Sequence, residues 1–319
     1  MPRTDLSALR DARILVFGGT GFIGAHLVRT LAGAGAQVVS ASRSAAPGLA
    51  GATAARPGAI RVERCDASDQ EQVVRLVGNV RPDLIYHLTS DSRGGRELHL
   101  IPDSIRNDLM AAIHVLLAAA NTSTRMVMAG SFEEPTGAAS EAVPCSPYAA
   151  AKWAGCAYAR MAAALHGLPV TVLRLMMTYG PGQKDYKVIP YVIRKLHAGE
   201  PAQLSSSARL LDWVYVEDVA EVFARAGAAP WAGAQSIDIG SGRLIPLREL
   251  LSMIGDMMGR RDLLSFGGAE ERPMEREEAA DTSAALSAFG WRARTPLEEG
   301  LARTIEAYRP ALAPPSNAG

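Results

Sequence analysis

The chain has 319 residues, long enough to bury a large core, with 48% apolar residues and 33 basic side chains balanced by 33 acidic ones. A neutral, ordinarily hydrophobic composition excludes a disordered chain and a basic nucleic-acid-coating protein, so no nucleic-acid partner is expected. Cys65, Cys145 and Cys156 have no zinc-like spacing and are odd in number, which points to a reducing compartment and to no metal site. No signal-peptide pattern precedes the first apolar run, and the longest apolar stretch, 109–120, is interrupted by His114. A cytoplasmic location without membrane association is expected.

Residues 14–17, Ile-Leu-Val-Phe, read as a buried strand, followed at once by Gly18-Gly19-Thr20-Gly21-Phe22-Ile23-Gly24 and an apolar helical pattern ending near Gly35. A strand, a glycine-rich turn and a helix N-terminus make a pyrophosphate cradle, because glycines let the backbone approach the phosphates and free N–H groups face them. The spacing is Gly-x-x-Gly-x-x-Gly, not Gly-x-Gly-x-x-Gly. Gly18, Thr20, Gly21, Phe22, Ile23 and Gly24 are therefore candidate cofactor contacts. A second strand, 37–41, ends in Ser42-Arg43, nineteen residues after Gly24. An acidic residue here would hold the ribose diol of NAD, whereas an Arg accepts a 2′-phosphate. NADP(H) is favoured on that ground and NAD(H) is the alternative, with Arg43 then a solvated loop residue.

A third strand over 62–65 runs into Asp66 and Ala67, candidates for the adenine end. Ser68 and Glu71 form a capping-box pattern for the next helix. Residues 84–88 are a fourth strand whose end, Leu88-Thr89-Ser90, should come close to the cofactor; His87 within it reads as a core histidine. A helix over about 104–120 crosses Asn107. Residues 126–129 form a fifth strand, with Ser131 just past its C-terminal end, the edge where open parallel sheets bind ligands. Ser146-Pro147 then starts a helix that places Tyr148 and Lys152, four apart, on one face. A phenol beside an ammonium, which favours the phenol's ionised form, is what a carbonyl reductase needs to move a proton while a dinucleotide moves hydride.

A sixth strand, 170–175, is followed by Tyr179-Gly180-Pro181-Gly182, a sharp stop. The alternation argues for an α/β doubly wound parallel sheet of Rossmann type. Beyond 180 the rhythm loosens: a helix over 188–197, a strand over 213–216, another over 237–239, a helix over 247–258 and two more after Asp281. The expected organisation is a dinucleotide-binding domain over 1–180, with about 211–240 returning to it, and a smaller, mostly helical substrate lobe from 181–210 and 241–310. The Pro- and Ala-rich tail, 311–319, should fray.

Together these elements resemble the extended short-chain dehydrogenase/reductase superfamily, in particular the NAD(P)-dependent epimerase/dehydratase family acting on nucleotide sugars. The resemblance runs nearly end to end and includes Arg174 before Tyr179-Gly180-Pro181-Gly182, the segment Asp212-Trp213-Val214-Tyr215-Val216-Glu217-Asp218, and Asp281 to Trp291. It implies that Ser131, Tyr148 and Lys152 are the catalytic triad: Tyr148 the acid/base, Lys152 lowering its pKa and holding the nicotinamide ribose, Ser131 orienting the substrate oxygen. It also implies a homodimer through the Tyr-Lys helix, whose Trp153, Cys156, Tyr158 and Met161 form an apolar set.

The departures from the family pattern are informative. Met177 stands where many members have a phosphate-gripping Asn, and Leu211 where many have Arg; Arg209 and Arg272 are cations that could replace them. Phe132 stands at the first position of the dehydratases' acid pair, leaving Glu133 alone at the second, which argues against dehydration. The leading expectation is an NADPH-dependent reductase of a nucleotide-linked keto sugar. An epimerase retaining NAD, a reductase of a non-nucleotide carbonyl, and a non-catalytic NAD(P)-binding sensor are the alternatives.

Overall fold

In the computed structural model, which describes residues 6–44, 58–91, 94–135, 142–230, 236–270, 274 and 276–309, short aliphatic runs become strands and the intervening amphipathic segments become helices. In chain order these are β1 (Arg13–Phe17), α1 (Phe22–Gly33), β2 (Gln37–Ser42), β3 (Ile60–Arg64), α2 (Gln70–Val80), β4 (Leu84–His87), α3 (Ile101–Ser104), a π-helical stretch (Ile105–Met110), α4 (Ala111–Asn121), β5 (Arg125–Ser131), α5 (Pro147–His166) and β6 (Val170–Leu175). There follow β7 (Met177–Tyr179), α6 (Val188–His197), β8 (Ala202–Leu204), β9 (Leu210–Tyr215), α7 (Val216–Ala228), β10 (Ser236–Ile239), β11 (Leu244–Pro246), α8 (Leu247–Met257), β12 (Leu264–Phe266), α9 (Thr282–Phe289) and α10 (Leu297–Tyr308).

Seven strands form one parallel sheet in the order β3-β2-β1-β4-β5-β6-β10, the doubly wound arrangement in which the direction of winding switches between β1 and β4. The switch places the ends of β1 and β4 side by side, with Phe17 opposite His87 and His87 opposite Met128. One face of the sheet packs Leu15, Phe17, Ile85, Met126, Met128 and Val172 against α2, α4 and α5. Full burial of each such side chain contributes ~1.5–3 kcal/mol. At the far edge β10 is pinned by a bidentate pair between Arg174 and Asp238, at 2.7 and 3.0 Å, on directly opposed residues.

The chain divides into two compact units, the first made of Met1–Leu175, Val219–Ile239 and Asp281–Arg292 and holding this sheet. The second, Met176–Asp218, Gly240–Ala280 and Ala293–Gly319, carries a three-stranded sheet, β11-β9-β7, and the pair β12-β8. Buried Asp212 organises it: Oδ1 accepts from Ser241 N–H and Oγ–H, both at 2.7 Å, and Oδ2 accepts from the N–H groups of Gly242 and Ala280, both at 2.9 Å. Gly180, at φ +148°, and Tyr179, whose hydroxyl donates to the Leu297 carbonyl at 3.3 Å, fix the turn after β7.

Three local readings change. The α2 N-cap is Asp69, accepting from Gln72 N–H at 3.1 Å, because Asp66 Oδ1 has taken both the Ser68 hydroxyl and its N–H. Strand β5 runs on through Ser131, which pairs with Leu175 instead of standing beyond the strand end. The helix expected from 104 begins at Ile101 and widens into the π-helical stretch before α4. Among the described residues no helix is long and apolar enough to cross a membrane. The tail, 311–319, lies outside the described residues.

Candidate active site

The turn after β1 exists because its glycines have no side chain. Gly18 has φ +83°, and a Cβ there would lie 2.8 Å from Leu88 C and Thr89 N, where the chain leaves β4. Gly24 is helical, yet a Cβ on it would strike the Gly18 carbonyl oxygen. Gly21 is the α1 N-cap and donates back to Gly18 O at 2.9 Å, so Thr20, Gly21, Phe22 and Ile23 sit at the start of the helix, where backbone N–H groups lack helical acceptors. A cradle that any side chain would fill, opening on a helix N-terminus at the sheet's switch point, fits the pyrophosphate of a dinucleotide.

Ser42 closes β2, Arg43 follows it, and Asp66 lies two residues past the end of β3. Arg43 Nη1 donates to Asn107 Oδ1 at 3.1 Å. Burial raises the Asp66 pKa, but hydrogen bonds from Ser68 and the Arg43 and Arg106 guanidinia outweigh it and hold the carboxyl below its usual value. The Ala67 carbonyl accepts from His114 Nδ1 at 3.1 Å, which fixes that loop on α4.

Ser146 caps α5, its Oγ accepting from Ala149 N–H at 3.0 Å, and Pro147 occupies the first turn, so Tyr148 and Lys152 share one helix face. Lys152 is buried and its Nζ donates to the Ala129 carbonyl of β5. The Tyr148 phenol is pushed above its ordinary pKa, first by burial and then by the negative charges of Asp108 and Glu133; side-chain hydrogen bonds with Ser131 and Ser90 pull the other way. The lowering of this phenol pKa expected from Lys152 is not what the structure gives: burial and two carboxylates raise it. Ser131 is aimed by its neighbours: Glu133 N–H donates to its Oγ at 3.2 Å, and its own N–H donates to Glu134 Oε1 at 2.6 Å. Glu133 in turn accepts from the Ser146 hydroxyl at 3.3 Å, beside the start of α5. Ser131, Tyr148 and Lys152 thus meet at the C-terminal edge of the sheet, with Ser90 as a fourth member. A phenol near a serine hydroxyl, with a buried ammonium one turn along the same helix, can pass a proton to or from a carbon–oxygen bond.

The family model described as the NAD dependent epimerase/dehydratase family matches residues 14–240. The chain belongs to that family. Among curated proteins, a UDP-glucose 4-epimerase of Mycolicibacterium smegmatis is 28% identical over 93% of this chain and 98% of its own length. A dTDP-glucose 4,6-dehydratase of Streptomyces griseus is 29% identical over 92% of this chain and 93% of its own length. Among solved structures, MoeE5 in complex with UDP-glucose and NAD is 30% identical, covers 94% of this chain and 99% of its own, and superposes with a TM-score of 0.82.

For a member of the epimerase/dehydratase family, two acidic residues that sequence reasoning passed over are close to the triad. Glu134 is buried against the Ser131 backbone. Asp108, in the π-helical stretch, is 2% exposed; its Oδ1 accepts from Ser90 Oγ–H at 2.8 Å and Asp91 N–H at 2.9 Å. Burial lifts its pKa to about 6, against the pull of Lys152 and the two hydrogen bonds. A signal was present: Ser104, Asp108, Ala111 and Val115 follow the helical period of a buried face, and only a carboxylate with a task belongs there. His87 is buried as expected, and burial and Lys152 lower its pKa to about 3.

Of the substrate-side candidates, Met177 lies in β7 and pairs with Trp213 within the second unit. Arg209, also in that unit, donates from Nε at 3.0 Å and Nη2 at 2.8 Å to the Arg276 carbonyl. Arg272 falls outside the described residues.

Proposed function

We propose that the protein is a nucleotide-sugar epimerase, which oxidises a ring hydroxyl to a transient ketone and reduces it from the other face, with Tyr148 as the acid–base group. The observation that carries the reading is Ser131 at the end of β5 facing the start of α5, which carries Tyr148 and Lys152, with Lys152 donating to the Ala129 carbonyl of β5, on the sheet edge that holds the glycine cradle. Relatives named for epimerisation and dehydration of nucleoside-diphosphate glucose match it nearly end to end. Dehydration is disfavoured because buried Phe132 holds the position of one of the two acids.

Gly18, Gly21, Gly24 and the N–H groups from Thr20 to Ile23 would hold the pyrophosphate of NAD. Ser42, Arg43, Asp66 and Ala67 would take its adenosine half; Leu88, Thr89, Ser90 and Lys152 would take its nicotinamide half. When bound, the nicotinamide supplies reversible hydride transfer. Tyr148 then moves the proton at its Oη, Ser131 orients the substrate oxygen, and Lys152 keeps a positive charge beside the phenolate. The same reading includes a homodimer. Tyr158, Met161 and Leu165 on α5 are exposed, as are Ile101 on α3 and Ile105 beyond it, whereas Cys156 points into the core.

Arg43 favours a second reading, an NADPH-dependent ketoreductase of a nucleotide-linked sugar, because its guanidinium could take a 2′-phosphate. The experiment is to identify the dinucleotide that copurifies and to offer UDP- and dTDP-hexoses without added cofactor. Retained NAD and formation of an epimer are expected, with turnover falling ~10²–10⁴-fold in Tyr148→Phe while cofactor binding persists. Stoichiometric NADPH consumption without epimer formation would replace the first reading by the second. Failure of every nucleotide diphosphate to raise the melting temperature would remove both.

A further inference from the structure

Strand β5 outruns one of its neighbours. Its pairing with β4 ends where Met128 faces His87, whereas its pairing with β6 continues through Ser131. Backbone groups of successive residues point to opposite edges of a strand. Phe132 N–H donates to Leu175 O at 3.0 Å toward β6, so the N–H and C=O of Ser131 point to the edge where the pairing with β4 has ended. Ser131 is buried, and a buried N–H without an acceptor is costly. Two side chains serve that edge. Lys152 Nζ donates to the Ala129 carbonyl, and Glu134 Oε1 accepts from Ser131 N–H at 2.6 Å. The Glu134 N–H also donates back to Ser131 O at 3.0 Å.

We propose that Glu134 is a positioning residue: it stands in for the missing strand and fixes Ser131 where its hydroxyl meets the substrate oxygen. One residue supplies both halves of a strand partner, an acceptor for the Ser131 N–H and a donor for its C=O. The end of β5 is thereby bonded on both edges, although only β6 lies beside it in the ladder. The inference rests on Ser131 orienting the substrate oxygen, and Glu134 acts only through it.

Three further observations support it. Glu134 is 3% exposed, so its carboxylate is no solvated surface acid. It is held from α5 as well: buried Cys156 donates from Sγ–H to Glu134 Oε1 at 3.4 Å. Tyr148, Lys152 and Cys156 follow one another four apart on one face of α5. The same carboxylate oxygen therefore registers the strand end carrying Ser131 against the helix face carrying the phenol and the ammonium. Gly130 leaves the room for it, since a Cβ there would lie 2.8 Å from Glu134 Oε1 and 3.4 Å from Cys156 Sγ. The neighbouring Glu133 takes a separate hold, accepting from Ser146 Oγ–H at 3.3 Å ahead of Tyr148. Adjacent glutamates thus grip α5 before and after the Tyr148–Lys152 pair.

Two substitutions break the one contact from opposite sides. Glu134→Ala removes the acceptor, and Gly130→Ala keeps it but puts a methyl group where the carboxylate lies. In NAD-loaded protein carrying isotope-labelled serine, NMR follows the Ser131 amide, identified by its loss in Ser131→Ala. That amide should exchange with solvent at least about tenfold faster in either variant, with Ser40 of β2 unchanged. An unaltered Ser131 amide would overturn the proposal, and so would equal acceleration at Ser40, the mark of general loosening. With a nucleotide sugar that the protein turns over, each variant should lower kcat about 10–100-fold and leave KM and dinucleotide affinity within about threefold. Glu134→Gln, which keeps an acceptor for the Ser131 N–H, should recover to within about fivefold of the unsubstituted protein. The double variant should be no slower than Glu134→Ala alone, because both changes remove the same contact. Multiplied losses, or an unchanged kcat beside a freed Ser131 amide, would overturn it. If no nucleotide sugar is turned over, the functional reading fails by itself, and the amide exchange still decides what holds Ser131.

Discussion

Asp108→Asn should make the protein more stable at mildly alkaline pH and leave it unchanged in acid. The folded Asp108 carboxyl titrates near 6 against a reference of 3.8, because burial penalises its charge. The unfolded chain therefore ionises first as pH rises, and the folded state carries the cost in full once pH exceeds about 6. A rise from 3.8 to about 6 corresponds to about 3 kcal/mol of stability absent at pH 8 and fully recovered below pH 4. Asn can still accept from Ser90 Oγ–H and Asp91 N–H through its amide oxygen. Its amide hydrogens lack an acceptor at the Oδ2 position among the described residues, as does the protonated carboxyl in acid, so the two cancel and the gain at pH 8 stays at about 3 kcal/mol. Urea denaturation of both proteins at about pH 8 and about pH 4 measures it: the variant's midpoint should be higher at the first and coincide at the second. A gap that does not depend on pH, or a less stable variant at pH 8, would refute the assignment of a buried charge to this position.

Three further outcomes can be tested. Gly24→Ala should abolish cofactor binding, measured by calorimetry, because its Cβ would strike the Gly18 carbonyl and force the cradle apart; near-normal affinity would show that the turn is not the phosphate site. His87→Leu should raise stability in acid and not at pH 8. Its folded pKa of about 3 lies below the reference 6.5, so the unfolded chain takes up the proton first as pH falls, a loss approaching 5 kcal/mol near pH 3. Denaturation midpoints across that range are the check. Arg43→Asp should shift the ratio of NADP to NAD affinities toward NAD by at least tenfold, and an unchanged ratio would show that Arg43 reads neither ribose.

Much of this site was legible because it is local. The cradle follows from glycines within a seven-residue turn, and the Tyr148–Lys152 pair from helix periodicity after a Ser-Pro start. What failed to read through depended on competition between neighbours. Ser68 looked like a cap until Asp66 claimed its hydroxyl, and Ser131 looked like a loop residue until pairing with Leu175 carried β5 through it. Asp108 follows Arg106 and Asn107 just before the apolar run 109–120; its helical period marks the buried face, but nothing along the chain marks its place beside the phenol.

From the sequence alone came the strands of the seven-stranded sheet and the helices between them, the glycine turn and the residues able to move a proton, since propensity, period and capping act over a few residues; the three-residue strands β7, β8, β11 and β12 did not. Only the folded chain decided the electrostatics. Packing α5 and the loop after β4 onto the π-helical stretch brings buried Asp108 and Lys152 and half-buried Tyr148, spread over 45 positions of the sequence, close to one another. Away from water each charge acts strongly on the others, so the acidity of the phenol belongs to that cluster and not to Tyr148 or its helix.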